Sequence, residues 1–409
     1  MSTAAPAEIQ AAAGGETLGE VLRARWDALK SGDVGSLPVV FGLIGITLFF
    51  TSKTDIFFSA VNFTNLIGQM AGVTVIAIGV VFVLLIGEID LSIGYVSGLA
   101  GVVVAQMQMP DSGHQYPGLV AIGIALATGA AIGLLQGSFV ALIGVPSFVV
   151  TLAGLLAWQG VILHQLGTEG VIGIQDAYVN NVASYVFSDN AGWAIAIVFA
   201  AGYAAATIGV YWSRRRSGLR TGNVVVTVVR VLFYSGLVFA AVAVCNRDRG
   251  VPLVGLIVLG LVVVGGYVAG RTPFGRHVYA VGGNAEAARR AGINVARIRI
   301  IVFMISGAMA AMGGVIFASR LNSVDLTAGG STILLDAISA AVIGGVSLFG
   351  GRGRVSGALF GGLIIGIVAN GIDLVGYTES VKYITTGVIL LSAVTLDTVV
   401  RRRQATAGR

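Results

Sequence analysis

Long apolar runs constrain this chain more than any other feature of its sequence. Each run is close to the length of a membrane crossing, which takes about 20 apolar residues. Hydrophobic residues make up 56% and charged residues 11% of the 409 positions, whereas an average soluble domain has about 25% charged residues. The sequence therefore predicts an all-α, polytopic transmembrane helical bundle. The apolar runs lie at roughly 37-51, 70-87, 92-109, 118-143, 147-166, 192-212, 224-245, 251-270, 297-319, 333-349, 355-375 and 380-399.

The length of the chain allows about 10-12 crossings. Sixty glycines are spread through the apolar runs, which favours helices that pack closely through small residues and break near a transport path. Twelve crossings use every run. A ten-helix variant, in which one or two glycine-broken segments do not cross, stays open.

The positions of Lys and Arg predict which loops face the cytoplasm. With twelve crossings and both termini inside, the basic opening stretch and every arginine cluster lie in the cytoplasm. The loops assigned outside, 110-117, 167-191 and 376-379, contain neither Lys nor Arg. The net charge of +6 therefore indicates topology and not nucleic-acid binding. The clusters are Arg214, Arg215, Arg216 and Arg220, then Arg352 and Arg354, then Arg401, Arg402 and Arg403; the exceptions outside are Lys53, Arg247, Arg249 and Arg320.

Three regions are predicted along the chain. Residues 1-36 form a cytoplasmic tail, 37-400 the transmembrane domain with a polar loop at 271-299, and 401-409 a second cytoplasmic tail. No cleaved signal peptide is expected at the start. In the first tail, Thr17 and Glu20 are spaced as a capping box. An amphipathic helix would follow, lying on the membrane surface or packing on a partner subunit; its apolar face is Leu18, Val21, Leu22, Trp26 and Leu29.

A weak internal repeat is present. Ile86-Gly-Glu-Ile-Asp-Leu aligns with Ile343-Gly-Gly-Val-Ser-Leu, and each is followed by Val-Ser-Gly. Repeated halves around a central path are a common plan for transporters, although glycine- and valine-rich segments also align by chance. We predict that Asp90 caps a helix beginning at Leu91, and that Ser347 caps the counterpart helix.

The loop at 271-299 is the one long basic interruption in the second half of the chain. Asn284 is a good N-cap, Glu286 complements the helix dipole in the first turn, and Gly292 stands where a C′ residue belongs. These signals predict a helix from Ala285 to Ala291. A helix this short is not stable alone in water, so we predict that it docks on another protein through Gly283, Asn284, Glu286, Ala287, Arg289, Arg290 and Gly292.

Several stretches resemble the membrane permeases of bacterial ATP-binding-cassette sugar importers, in the ribose and xylose branch. They are GRHVYAVGGNAEAARRAGINV, VLLIGEIDLSIG, VPSFVVTLAGLLAWQG, RDRGVP and AAVIGGVSLFGGRGRVSGALFGG. The glutamate in GEIDLS and the RGVP motif are most similar to the xylose permeases. The resemblance implies an inner-membrane homodimer, an ATP-binding-cassette ATPase subunit gripping the 271-299 loop, and an external sugar-binding protein.

Polar groups in the apolar segments are the candidates for a translocation path. A charge at the bilayer centre costs at least about 2.5 kcal/mol, so Glu88 and Asp90 are conspicuous. Glu88 either contacts sugar or closes a gate by pairing with an arginine. Neutral amides suit a path for a polyol, but they also form ordinary interhelical hydrogen bonds. The predicted path residues are Gln69, Glu88, Asp90, Leu91, Ser92, Gln136, Phe148 and Asn370.

Motifs for catalysis and for metal binding are missing. No GxxxxGK[ST] loop occurs in the sequence, so ATP and Mg are expected on the partner ATPase and no cofactor on this chain. His164 has no second His or Cys placed to form a metal site with it, and Cys245 is the single cysteine. The acidic loop 167-191 is predicted to meet the external binding protein through Glu169 and Asp176.

One alternative function belongs to a different class. The chain would then be a self-sufficient, ion-coupled secondary transporter of a small polar solute, with Glu88, Asp90 or Asp373 as the titrating group. That function gives the capped helix at 285-291 no purpose. A membrane receptor or scaffold has no recognisable sensory or enzymatic domain in this sequence.

Overall fold

The computed structural model describes residues 19, 23, 37–109, 115–167, 169–219, 221 and 223–407. The predicted amphipathic helix and the N-terminal tail fall almost wholly outside these residues. The tail boundary at 36 therefore stays a prediction. The boundary at 401 also stays a prediction, and the last helix continues across it to Ala407.

The described residues are predominantly helical, as predicted, and the helices follow the apolar runs closely. In chain order the helices are α1 Leu37–Thr51, α2 Ala60–Leu85, α3 Ile93–Gln106, α4 Gly118–Ser138 with a π-helical turn at Phe139–Ile143, α5 Ser147–Leu166, α6 Ala177–Ser184, α7 Asp189–Arg216, α8 Val224–Cys245, α9 Leu253–Arg271, α10 Pro273–Gly283, α11 Ala285–Arg290, α12 Val295–Leu321, α13 Ser331–Ile343, α14 Ser356–Val375 and α15 Glu379–Ala407. Short strands lie at β1 Val171–Gly173, β2 Val186–Phe187, β3 Val251–Pro252 and β4 Ser323–Asp325.

Membrane-spanning length separates the helices into two groups. In the described part of the chain, eight helices are long and apolar enough to cross a membrane: α2, α4 with its π-helical turn, α5, α7, α8, α9, α12 and α14. By contrast, α3 has 14 residues, about 21 Å at 1.5 Å per residue, which is less than the roughly 30 Å of a hydrocarbon core. Helix α13, with 13 residues, is one residue shorter. The chain is therefore an all-α, multi-pass membrane bundle with broken segments.

The chain divides into two compact units. In the smaller unit, which contains Val186–Val251, α7 and α8 form an antiparallel pair. Trp193 stacks on Phe239 with ring centroids 6.2 Å apart, and Tyr203 meets Tyr234 edge-on at 5.5 Å. The larger unit spans 36–185 and 252–402 and contains all the candidate residues discussed below.

The core of the larger unit is built around α2 and α12. From Met70 to Leu85 every residue of α2 is buried, so this part of the helix is surrounded by protein on all sides. The apolar run predicted its start at 70, but α2 begins at Ala60, where the Ser59 side chain accepts a hydrogen bond from Asn62 N at 3.2 Å. Polar residues in the first turns hid that start.

Glycines bring α12 close to α4. A side chain at Gly129 would strike the backbone carbonyl of Gly307, and one at Gly307 would strike that of Gly129. Gly133 meets the carbonyl of Phe303 in the same way. Small residues at such a crossing let the two backbones approach, as is usual between membrane helices.

Replacing Gly307 with valine is expected to destabilise the bundle. The new side chain has no space at the α4 crossing, and overpacking of this kind costs about 1–3 kcal/mol. Thermal unfolding of the purified protein in detergent should report a lower Tm. Gly266, beside which no atom lies within 4 Å of an added Cβ, provides the matched control, and an equal loss in Gly266→Val would contradict the packing argument.

The predicted repeat extends to a pair of turns. The Asp90 side chain accepts a hydrogen bond from Ser92 N at 3.0 Å, and the aligned Ser347 side chain accepts one from Phe349 N at 3.3 Å. Neither residue caps a helix as predicted, because α3 begins at Ile93 and α14 only at Ser356. The two turns also meet, since Gly351 N donates to Leu85 O at 2.9 Å.

The predicted external loop 167-191 is folded. Strand β1 pairs with β4 in antiparallel register, with Ile172 opposite Val324. Helix α6 follows and is fixed to the end of α12, because Ser319 Oγ donates to Asn180 O and accepts from Ala183 N, both at 2.9 Å. Any surface that the described residues of this loop offer to a partner is therefore ordered.

Candidate functional site

The coupling segment, which we define as α10 and α11 with the turn to α12, is capped at every junction. Thr272 Oγ1 accepts from Gly275 N at 3.1 Å at the start of α10. Asn284 Oδ1 accepts from Ala287 N at 2.9 Å at the start of α11. At its end Ile293 N donates to Ala288 O and Gly292 N to Arg289 O, each at 3.0 Å. This is a Schellman motif, and the φ of +84° at Gly292 is the left-handed geometry that it requires.

The short helix α11 projects its functional candidates outward. All seven predicted docking residues are exposed, whereas Ala288 is buried and anchors the helix. Glu286 pairs with Arg289 at 3.0 Å and with Arg290 at 3.2 Å. Such exposed pairs contribute little to stability, so their main effect is to hold three charged side chains in one arrangement.

The coupling segment is fixed to the body of the larger unit through α10. A side chain on Gly282 would strike the carbonyl of Leu85 at the end of α2 and the backbone of Gly351. Tyr279 Oη donates to Gly353 O at 2.8 Å, and partial burial raises the pKa of this phenol above its ordinary value, while the nearby positive charge of Arg354 lowers it in part. A movement of α10 would therefore displace both turns of the repeat, the one after Leu85 and the one around Gly351.

Glu88 pairs with an arginine, one of the two predicted alternatives. Its Oε1 lies 3.0 Å from Nη2 of Arg299, with the glutamate side chain 14% exposed and the arginine 27% exposed. Arg299 lies in the second turn of α12, directly after the coupling segment. The turn 86–92 is thus connected electrostatically to the start of α12.

Asp90 is buried and fully engaged. Oδ1 accepts from Ser92 N at 3.0 Å and from Ser92 Oγ at 2.7 Å, and Oδ2 accepts from Ser306 Oγ at 3.0 Å. A buried carboxylate needs such donors to offset its desolvation. Asp90 therefore joins the turn 86–92 to the middle of α12.

The turn 86–92 also contacts α5. Ile89 N donates to Ser147 Oγ at 3.3 Å, and Thr151 Oγ1 approaches Ile89 O at the same distance. Beside this junction Phe148 is 54% exposed and Ile89 39% exposed, while Leu91 is half-buried. Two of the predicted path residues, Leu91 and Phe148, therefore present apolar side chains beside this polar turn.

Gln136 extends the polar network from Ser92 to α4. Ser92 Oγ lies 3.0 Å from Gln136 Oε1, yet the single hydroxyl proton of Ser92 is engaged by Asp90. Among the described residues, Gln136 Nε2 and Trp158 Nε1 have no partner, and both adjoin Gly154. If the side-chain amide of Gln136 is flipped, Nε2 donates to Ser92 Oγ and Oε1 takes the place of Nε2 on the side of the Trp158 indole. The orientation of such an amide is assigned from its hydrogen-bond network.

A second polar cluster is separate from the first. Asn62 and Asn370 exchange hydrogen bonds at 2.9 Å, and Asn370 Nδ2 also donates to Gln69 Oε1 at 3.1 Å. Asn62 and Asn370 are 5% and 3% exposed. Gln69 lies about 24 Å along α2 from Leu85. The structure thus brings Glu88, Asp90, Leu91, Ser92, Gln136 and Phe148 into one neighbourhood and places Gln69 and Asn370 in another.

Asn370→Leu is expected to lower stability more than it alters sugar recognition. The substitution leaves the buried amide of Asn62 without its partner, which costs about 1–3 kcal/mol. Unfolding in detergent and the KM for sugar uptake measure the two effects separately. A KM raised tenfold with an unchanged Tm would assign Asn370 to the path instead.

The two predicted contacts for a binding protein differ in their surroundings. Glu169 is exposed. Asp176 caps α6, accepting from Tyr178 N at 2.8 Å and Val179 N at 3.0 Å through Oδ1, and its Oδ2 accepts from Gly118 N at 3.3 Å. Asp176 therefore stabilises the start of α6 and its contact with α4, a structural role that its sequence context did not indicate.

No group of three or more His, Cys, Asp or Glu in the described residues is placed to hold a metal ion. Sequence reasoning missed several members of the polar network. Ser147, Thr151, Arg299 and Ser306 are ordinary residue types in ordinary helical positions, and only the packing of the helices brings them to the turn 86–92.

Comparison with known proteins agrees with the resemblance. The family described as branched-chain amino acid transport system, permease component, matches residues 62–394. The xylose transport system permease protein XylH of Escherichia coli (strain K12) is 37% identical over 383 residues, covering 92% of this chain and 95% of the relative. The corresponding protein of Haemophilus influenzae is 35% identical over 380 residues, covering 90% and 98%.

A ribose permease is also similar. The ribose import permease protein RbsC of Escherichia coli (strain K12) is 33% identical over 349 residues, covering 83% of this chain and 87% of the relative. No solved structure matches. The family match extends over most of the chain and includes the coupling segment and both polar clusters. This chain is therefore a member of the branched-chain amino acid transport system permease component family.

Proposed function

We propose that this chain is the transmembrane permease subunit of an ATP-binding-cassette importer that passes a sugar, xylose first and ribose second, into a bacterial cell. The observation that carries the proposal is its similarity to xylose permeases over 92% of its length. The glutamate at Glu88 and the RGVP motif at 249-252 favour xylose over ribose. The chain contributes a passage and no catalysis.

Three partners follow from this function. A second copy of the chain completes the passage, an ATPase subunit binds ATP and Mg, and an external sugar-binding protein delivers the sugar. The exposed helix α11 supports ATPase docking at this segment. The caps at Asn284 and Gly292 fix both of its ends, so the helix is already formed when a partner surface binds it. Both termini then lie in the cytoplasm, and the protein lies in the inner membrane.

The passage runs beside the turn 86–92 in this proposal. The exposed Phe148 and half-buried Leu91 act as apolar gates, and Glu88, held by Arg299, closes the cytoplasmic side. The polar network through Asp90, Ser92 and Gln136 holds the turn in position. Loss of the Glu88 contact would remove one of the contacts that hold the turn.

Co-purification tests the class of the protein. The tagged chain is isolated from its native membrane in mild detergent, and a nucleotide-binding ATPase is expected in the preparation in equal amount. Xylose-loaded binding protein should then stimulate ATP hydrolysis by the isolated complex. A chain that purifies without any ATPase and still accumulates xylose in vesicles would refute the proposal.

Docking of the binding protein is tested at Glu169, with Asp176 as the structural comparison. Glu169→Gln is expected to reduce binding-protein-stimulated ATPase activity and its salt dependence, because complementary charge steers such encounters. Asp176→Asn keeps an N-cap and should have a smaller effect, whereas Asp176→Ala should also lower Tm. Unchanged stimulation and salt dependence in Glu169→Gln would remove this residue from the docking surface.

A further inference from the structure

A polar groove lies where the coupling segment meets α12. Its volume is about 330 Å³, and its lining includes Arg289, Asn294 and Arg299 together with Ala141 of the π-helical turn. A water takes about 30 Å³ of liquid volume, so the groove has room for an acidic side chain and several waters. Among its lining residues the charged ones are the two arginines, which makes it electropositive.

Arg299 lines this groove and has one donor without a partner among the described residues. Its Nη2 contacts Glu88 at 3.0 Å, while its buried Nε has no hydrogen-bond partner among the described residues. A buried donor left unpaired is costly, and a guanidinium with an unpaired donor can take a second carboxylate in the fork geometry that it favours. Arg289 reaches the same groove from α11 while it pairs with Glu286.

We propose that an aspartate or glutamate side chain of the ATPase subunit enters this groove and binds Arg299. The inference rests on the proposed function, and it names the chemistry of the partner and the residue that senses it. A carboxylate is favoured because both charged lining residues are basic, and the ATPase is favoured because the groove opens beside the exposed helix α11.

Arg299 then connects docking to the gate. The incoming carboxylate competes with Glu88 for the same guanidinium, so seating of the ATPase weakens one of the contacts that hold the turn 86–92. This turn contacts α5 through the hydrogen bond from Ile89 to Ser147. It contacts α12 through the hydrogen bond from Ser306 to Asp90. A single arginine thus transmits the arrival of the ATPase to the segment beside Phe148.

The test uses the complete complex with single substitutions in the permease. Arg299→Gln is expected to weaken ATPase association about tenfold, since a desolvated charge partner is lost. Arg297→Gln removes the same charge from an exposed position in the same turn region, outside the groove lining, and should change association less than about twofold. Glu88→Gln leaves Arg299 to the ATPase alone, so association should tighten and basal ATP hydrolysis should rise without binding protein.

Equal weakening by Arg299→Gln and Arg297→Gln would overturn the proposal, because general electrostatics would then explain both. Unchanged association, with activity that depends on anionic lipid in vesicles of phosphatidylglycerol but not phosphatidylcholine, would assign the groove to a lipid headgroup and overturn it too. Arg299→Lys is the control for a folding defect, because it keeps the positive charge but lacks Nε. It should weaken ATPase association while the Tm stays unchanged.

A photo-crosslinker placed at Ala296, which also lines the groove, gives a measurement independent of the arginine variants. It should attach to an ATPase peptide with an acidic residue at or next to the crosslinked position, and attachment to a segment without one would contradict the proposal. Co-purification and uptake by the unmodified complex test the proposed function separately, so its failure is distinguishable from failure of the groove.

Discussion

Gly292→Val is expected to abolish ATP-driven sugar uptake while the protein remains in the membrane. The φ of +84° at Gly292 costs an ordinary L residue about 1–2 kcal/mol, and a β-branched one more. The substitution therefore breaks the end of α11 and misplaces the predicted docking residues, without touching the helix crossings of the core. Radiolabelled xylose uptake and ATPase co-purification measure the loss.

Gly292→Asn is the matched control, because asparagine tolerates the left-handed region. It should retain most of the uptake. Glu286→Lys is expected to uncouple the complex as well, since it reverses the charge at the start of α11 and repels Arg289 and Arg290. Glu286→Gln should be milder. Full uptake in both Gly292→Val and Glu286→Lys would show that α11 is not the coupling element.

The isolated permease is expected to bind xylose only in the millimolar range or more weakly, equivalent to about -4 kcal/mol or less favourable. The polar groups that would recognise a sugar are occupied by one another: Asp90 by Ser92 and Ser306, and Asn370 by Asn62 and Gln69. Selection then belongs to the external binding protein, and weak binding in the passage permits release.

Calorimetry on the purified chain, without binding protein, measures this affinity directly. Mannitol serves as a polyol control and should give the same small heats as xylose. Micromolar binding of xylose, with none of mannitol, would establish a dedicated site in the permease and contradict a passive passage.

Much of the fold was predictable because the membrane leaves few alternatives. The runs at 37-51, 147-166 and 224-245 coincide with α1, α5 and α8. The predicted start of α2 was wrong because Asn62 and Gln69 interrupt the apolar pattern. In the structure these two amides form hydrogen bonds with Asn370 across the helix interface. Hydropathy does not register a polar group that has its partner on another helix.

Helix α11 was predictable, whereas α10 and the polar network were not, for a physical reason. The caps at Asn284 and Gly292 are local interactions within a few residues, so their signals stand next to each other in the sequence. The contact of Glu88 with Arg299 and that of Asp90 with Ser306 join residues more than 200 positions apart. Nothing near Arg299 or Ser306 in the chain distinguishes them from other helical residues.

Transport in reconstituted vesicles tests the central claim, that this permease works with a separate ATPase. Vesicles hold this chain alone, or this chain with its ATPase and ATP, and receive xylose with or without the binding protein. We predict accumulation only when ATPase, ATP and binding protein are all present, with no effect of a protonophore or of sodium removal. Accumulation by the chain alone, driven by a proton or sodium gradient, would contradict the account and establish ion-coupled transport.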